Sequence, residues 1–408
     1  MERRVELVTI DEVRAAAGRL TGVTEATPVE RSRAIATAAG IDEVWLKCEN
    51  LQRTGSFKLR GAYNRIAQLS PDERRRGVVC ASAGNHAQGV ALAASLQGVA
   101  STVFMPIEAP LPKVDATDAY GAEVRLVGET FDGALAEAIA FAEREGSVFV
   151  HPFDHPDIIA GQGTAGLELV DQVPDAGTVV VSVGGGGLIS GVAVALRALR
   201  PDVRIVGVQA IGSASFPPSL AAGEPVALPS VDTIADGIAV KRPGELTFAH
   251  VRDLVDEVVA VTDAELSRAV VMLLERAKLV AEPAGAAAVA ALLAGRGTLG
   301  DGPIVAIVSG GNIDPLVLQH LVTGGLTAEN RYVTLRTRVP DAPGELARLL
   351  RTVADTRANV VGVQHHRVGS RLALGQVEVI IELETRGAEH VARIHEVLGA
   401  SGYPTAAL

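Results

Sequence analysis

From about residue 1 to 320 the chain keeps one rhythm. Short β-branched runs alternate with alanine-rich runs of helical length. Candidate strands cover 44–47, 77–80, 101–105, 123–127, 179–183, 204–208 and 304–308, with helical runs such as 87–96, 132–145 and 189–199 between them. A parallel pair of strands needs a long crossover, commonly a helix, so this alternation implies parallel sheets covered on both faces. The loops that follow the strands then gather on one rim, where ligands bind in such folds. The expected class is α/β, with two open, mostly parallel sheets.

The rhythm changes after Leu326. Residues 331–339 alternate like a strand, and Asp341-Ala342-Pro343-Gly344 is a turn. Residues 345–357 are amphipathic, with Leu346, Leu349, Leu350 and Val353 at helical spacing. Residues 359–368 and 376–384 read as a hairpin around Gly369-Ser370, and 388–398 as a second helix with Val391, Ile394 and Leu398 on one face. With a last short strand near Tyr403, the order is the ferredoxin-like βαββαβ. Thr323-Gly324-Gly325-Leu326-Thr327 reads as a linker. The expected division is 1–320, a linker at 321–330 and a small domain at 331–408, with a smaller α/β subdomain at about 45–150 inside the first part.

A hydrophobic fraction of 48% and a charged fraction of 21% suit a globular protein with a large core. The net charge of −11 argues against nucleic acid as a partner. Two cysteines, Cys48 and Cys80, make no disulfide framework, so buried thiols in a reducing compartment are expected. Met1-Glu2-Arg3-Arg4-Val5-Glu6-Leu7 lacks the apolar centre of a signal peptide. Residues 279–295 are apolar but include Glu282 and Pro283, and read as a packed helix and not a membrane span. A cytoplasmic enzyme without a membrane partner is expected.

Four motifs carry chemistry. Of only five lysines (Lys47, Lys58, Lys113, Lys241 and Lys278), Lys58 alone follows a small, hydroxyl-bearing stretch, Thr54-Gly55-Ser56-Phe57, and opens a helical run. A lysine amine forms a Schiff base with an aldehyde, which arginine cannot do. Ser182-Val183-Gly184-Gly185-Gly186-Gly187-Leu188 joins a strand to a helix. Successive glycine N–H groups and a helix N-terminus together favour a phosphate, and a plain turn needs fewer glycines. Ala81-Ser82-Ala83-Gly84-Asn85-His86-Ala87-Gln88-Gly89 puts Asn85 on the rim as a donor to a phenolic oxygen, while His86 reads as structural. Val308-Ser309-Gly310-Gly311-Asn312 follows another strand, and Ser309 suits a ring nitrogen. Glu282-Pro283-Ala284-Gly285 and Asp236-Gly237-Ile238 are weaker candidates for the same pocket. His151 and His155 have metal-pair spacing, but Pro152 and Pro156 interrupt a helix there, so two solvated loop histidines are expected.

In this order the four motifs resemble those of threonine dehydratases (threonine ammonia-lyases) of the pyridoxal-phosphate tryptophan-synthase-β fold, or fold-type II, over about residues 15–320. The resemblance implies that Lys58 is the Schiff-base lysine and general base, that Phe57 packs beside the cofactor ring and that Asn85 contacts its hydroxyl. It implies that Gly184, Gly185, Gly186, Gly187 and Leu188 bind the phosphate, and that Ser309 meets the pyridine nitrogen. Ser82, Ala83, Gly84 and His86 fall on the substrate side. A neutral serine at the ring nitrogen makes a weaker electron sink, which favours early loss of a β-substituent. Serine racemases with similar motifs carry a serine where this chain has Ala83, so racemisation is disfavoured. The loop after the 204–208 strand, Gln209-Ala210-Ile211-Gly212-Ser213-Ala214-Ser215, lacks the carboxylates a hard cation wants, and no Mg²⁺ site is expected.

The tail resembles an ACT domain, with Gly344 at the turn where an amino-acid effector approaches the backbone. Isoleucine is the expected effector and valine an alternative, and a homo-oligomer, dimer or tetramer, is implied. The expected reaction is deamination of L-threonine to 2-oxobutanoate and ammonia. An L-serine dehydratase or hydroxyaspartate-type ammonia-lyase with the same machinery is one alternative. A catalytically inactive amino-acid sensor is another.

Overall fold

The computed structural model describes residues 5–367 and 373–407; Met1-Glu2-Arg3-Arg4 and the turn expected at Gly369-Ser370 lie outside them. The chain divides into two compact units, Met1–Leu318 and Gln319–Leu408.

The first unit contains β1 (Val29–Arg31), β2 (Val44–Lys47), β3 (Val78–Ala81), β4 (Ser101–Met105), β5 (Glu123–Leu126), β6 (Val148–Phe149), β7 (Thr178–Ser182), β8 (Arg204–Ala210), β9 (Glu257–Val261) and β10 (Ile304–Ile307). Six of them form a sheet in the order β1-β2-β10-β7-β8-β9, parallel except for the β1–β2 pair. The other four form an all-parallel sheet in the order β5-β4-β3-β6, drawn from within the 45–150 segment. Central strands are buried throughout because helices cover both faces: every residue of β4 and of β7 is buried. Each sheet has its own core. Val179, Val181, Ile189, Val192 and Ile307 belong to the larger, and Leu59, Ile66, Val78, Val90 and Val103 to the smaller. Several helices begin at capping boxes, with Thr9, Ser70 or Thr262 followed three residues on by glutamate. Three strands escaped the sequence reading. β1 and β6 have only three and two residues, and β9 is a half-buried edge strand.

The second unit contains β11 (Tyr332–Pro340), the helix Glu345–Asp355, β12 (Asn359–His366), β13 (Gln376–Glu384), the helix Ala388–Ala400 and β14 (Thr405–Ala407). Its antiparallel sheet has the order β12-β13-β11-β14. Leu335, Val339, Val379 and Ile381 pack with Leu349, Val353, Ile394 and Leu398 of the helices.

The linker reading needs correction, because residues 323–327 lie inside the helix Pro315–Ala328. Two glycines cost a helix about 1 kcal/mol each relative to alanine. Here Leu321 and Gly325 are buried, and that packing outweighs the local preference. Among the described residues no helix is long and apolar enough to cross a membrane.

Candidate active site

A cavity of about 740 Å³ opens in the first unit along the C-terminal ends of β3, β7 and β10, where the motifs converge. Lys58, Asn85, the four glycines 184–187, Leu188, Ser309, Ser82, Ala83, Gly84 and His86 all line it. Lys58 begins the helix Lys58–Ala67, and its amine donates to the Pro152 carbonyl at 3.0 Å. The Phe57 ring lies beside the amine, 5.2 Å from its centroid. Burial pulls the Lys58 amine down to about 8, and Glu282 opposes that shift only in part. The group is therefore readily available as a free base.

Facing Lys58, β7 runs through Val183 into the glycines, and a helix begins at Gly187. Gly186 has φ +96, a conformation that suits glycine, and a Cβ on Gly185 would collide with the Phe153 ring. The unsatisfied N–H groups of the helix's first turn meet the cavity there. At the end of β10, Ser309 is buried and its hydroxyl oxygen accepts the Ser182 hydroxyl at 2.8 Å. The hydrogen of Ser309 is thus left to donate to another acceptor. Asn85, first residue of the helix Asn85–Leu96, donates to Glu282 Oε1 and accepts from Asn312 Nδ2 at 2.7 Å. Ser82 Oγ accepts the Gly84 N–H at 3.1 Å. His86 is buried and shares a hydrogen bond with the Val150 carbonyl at 2.9 Å. Burial pushes its imidazole down to about 3, so it is neutral.

The histidines at 151 and 155 are not the solvated loop pair expected. His151 Nδ1 accepts the N–H groups of Phe153 and Asp154 at 3.2 and 2.7 Å, and its ring meets the Phe153 ring edge-on. Burial lowers its pKa to about 4. His155 caps the helix Pro156–Gln172 through the Asp157 N–H. Both rings satisfy backbone donors next to prolines, which the spacing alone does not reveal. Sequence reading gave no role to Ser182, Asn312 or Phe153. Ser182 and Asn312 stand inside quoted motifs, whereas Phe153 carries no local signal. Gly344, in the second unit, lies between β11 and its helix with φ +88 and open space where a Cβ would stand.

Fold and cavity together define an α/β enzyme that holds a phosphorylated, aldehyde-bearing cofactor against a lysine. Residues 20–310 match the family described as pyridoxal-phosphate dependent enzyme, and the chain belongs to that family. Residues 333–400 match the ACT domain. A protein named L-threonine ammonia-lyase from Thermotoga maritima is 47% identical over 397 residues, 97% of this chain and 98% of that one. Among solved structures, maize serine racemase has a TM-score of 0.72 at 37% identity, covering 80% of this chain and 100% of the other. The processed form of threonine deaminase isoform 2 from Solanum lycopersicum has 0.72 at 38% identity, covering 79% and 92%. The residues present fit pyridoxal phosphate. There is a run of four cavity-lining glycines packed too closely by Ile238, Phe153 and Phe216 to carry a Cβ, a desolvated amine lining the same cavity, and a serine hydroxyl with its hydrogen to give.

Proposed function

We propose that this enzyme deaminates L-threonine to 2-oxobutanoate and ammonia. One observation carries the reading. Lys58 brings a desolvated amine to a cavity whose substrate-side loop has Ala83, without a hydroxyl, as its neighbour to Gly84. A site with one base on one face favours elimination over racemisation. Identity of 47% with a protein named L-threonine ammonia-lyase supports the choice of substrate.

Pyridoxal phosphate, when bound, supplies an aldehyde for the substrate amine and a ring that delocalises the electron pair left at Cα. The protein's part is positioning and proton handling. Glycines 184–187 and Leu188 would hold the phosphate through backbone N–H groups, Phe57 would pack at the ring, and Asn85 would donate to the ring oxygen. Ser309, accepting the Ser182 hydrogen, would have its own to offer the ring nitrogen, and as a neutral donor it would not protonate it. Neutral Lys58 takes the Cα proton, and Ser82, Gly84 and His86 shape the substrate side. The β-hydroxyl would leave as water, balancing the proton removed at Cα, and the released enamine would tautomerise and hydrolyse to the 2-oxoacid and ammonia.

For the tail, we read the turn at Gly344 as the approach for isoleucine, or valine, in a homo-oligomer. The buried unpaired thiols of Cys48 and Cys80 suit the cytoplasm. The test is 2-oxoacid formation from L-threonine and from L-serine, with and without isoleucine. A large preference for serine overturns the substrate. Equal inhibition of a chain ending at Ala328, which keeps the whole helix Pro315–Ala328, overturns the effector role.

A further inference from the structure

The Asn85 amide is locked from both ends. Asn312 Nδ2 donates to Asn85 Oδ1 at 2.7 Å and to the Thr54 carbonyl at 2.6 Å, using both its hydrogens on these short contacts. Gln88 Oε1, at 3.3 Å, is the longer third neighbour. With its oxygen engaged, Asn85 must turn Nδ2 the other way, where one hydrogen goes to Glu282 Oε1 at 2.5 Å. The second hydrogen remains for an acceptor in the cavity that Asn85 lines. Glu282 stands just before the helix Pro283–Leu293, is 4% exposed and also lines the cavity. It is closely covered, for a Cβ on Gly310 would collide with Oε1 and one on Gly237 would lie 3.4 Å from it.

We propose that Glu282 sets the working pH range of this site: it holds Asn85 as a donor toward the cofactor, and its negative charge favours a proton on the Lys58 nitrogen. The inference rests on the reading of the cavity as a pyridoxal-phosphate site. The charged groups around Glu282 are Lys58, Lys113 of the helix Leu111–Ala119 and Asp236 of the short helix Asp236–Ile238. Burial and Asp236 push the Glu282 carboxyl up to about 7, while Asn85, Lys113 and Lys58 pull the other way. Its charge therefore changes near neutral pH, close to where the Lys58 amine changes. Glu282 touches no reacting atom on this reading and is a positioning residue.

The test uses the full chain loaded with pyridoxal phosphate and follows the cofactor's visible absorption against pH. Glu282→Gln keeps an acceptor for Asn85 and removes the charge. It should lower the midpoint of the spectral change by about one pH unit, because a lost anion no longer favours the proton, and leave cofactor affinity within about threefold. Glu282→Asp restores the charge and should bring the midpoint back to within about 0.3 unit of the unsubstituted protein. A Glu282→Gln midpoint unchanged in folded, cofactor-bearing protein overturns the proposal, as does a Glu282→Asp midpoint that stays with Glu282→Gln. If the unsubstituted protein shows no absorption that depends on Lys58, the cofactor-site reading itself fails, which is a separate result.

Discussion

Lys47 and Lys58 stand on either side of one loop, and both are drawn out of solvent. They are treated in opposite ways. Lys47 ends β2 with a fully buried side chain, and its amine donates to the Thr27 carbonyl at 2.9 Å, Glu168 at 2.5 Å and Gln172 at 2.9 Å. All three hydrogens are used, and burial lowers its pKa against the opposing pull of Glu49 and Glu168. Arg60 completes the cluster by bonding Glu49 at 2.8 Å and Glu168 at 2.6 Å. Lys58 has one neutral acceptor, the Pro152 carbonyl, and only Glu282 to raise its pKa. A lysine whose hydrogens all meet acceptors is fixed as an ammonium. One left nearly without partners is kept for chemistry.

The largest expected effect is on catalysis. Lys58→Met should lower kcat by about four orders of magnitude or more, as loss of a nucleophile or base does. Glu282 keeps Asn85 and Lys113 as partners, so the melting temperature of the cofactor-free protein should move by less than about 3 °C. Lys47→Met reverses the pattern. It takes one of two cationic partners from Glu168, leaving Arg60, and empties three buried hydrogen bonds. It should cost about 3 kcal/mol in denaturant unfolding, while kcat per folded molecule stays within about threefold. A Lys47 variant that loses turnover but not stability would break the distinction.

The third expectation is a pH dependence. The Lys58 pKa is depressed to about 8, so its neutral form accumulates as pH rises through that value, and not near 10.4 as for an exposed lysine. The rate at which cofactor-free protein takes up pyridoxal phosphate should climb with pH and level off above about 8. Its measurement is the growth of visible absorption after mixing across a pH series. A midpoint close to that of free lysine would mean that the amine is as well solvated as any on the surface.

The two lysines also mark what the sequence can disclose. Lys58 was legible because its neighbours are local: a hydroxyl-rich stretch before it, a helix after it, and other motifs that each follow a strand. The alternation that predicted two sheets was legible for the same reason, since crossover helices impose it over short distances. The setting of Lys47 was not legible. Its partners Glu168 and Gln172 lie on the helix Pro156–Gln172, brought near only when that helix packs on Lys58–Ala67. Asn312 stood in full view beside Ser309, but its bond to Asn85 joins the start of one helix to the loop after β10, which no spacing reveals. Gly324-Gly325 misled in the opposite direction, because local preference said linker where burial held a helix.

A third lysine sharpens the comparison. Lys113 meets Asp236 at 2.6 Å at the cavity wall, but the Asp236 side chain is 62% exposed. An ion pair with one partner in water gives back little on forming, because solvent screens the attraction and both side chains lose freedom. Lys113→Ala should therefore cost less than about 1 kcal/mol by the same denaturant measurement, and less still in high salt. Were it to cost as much as Lys47→Met, acceptor count and burial would not be what separates structural from chemical lysines here. The pair at the mouth would then have to be treated as part of the scaffold.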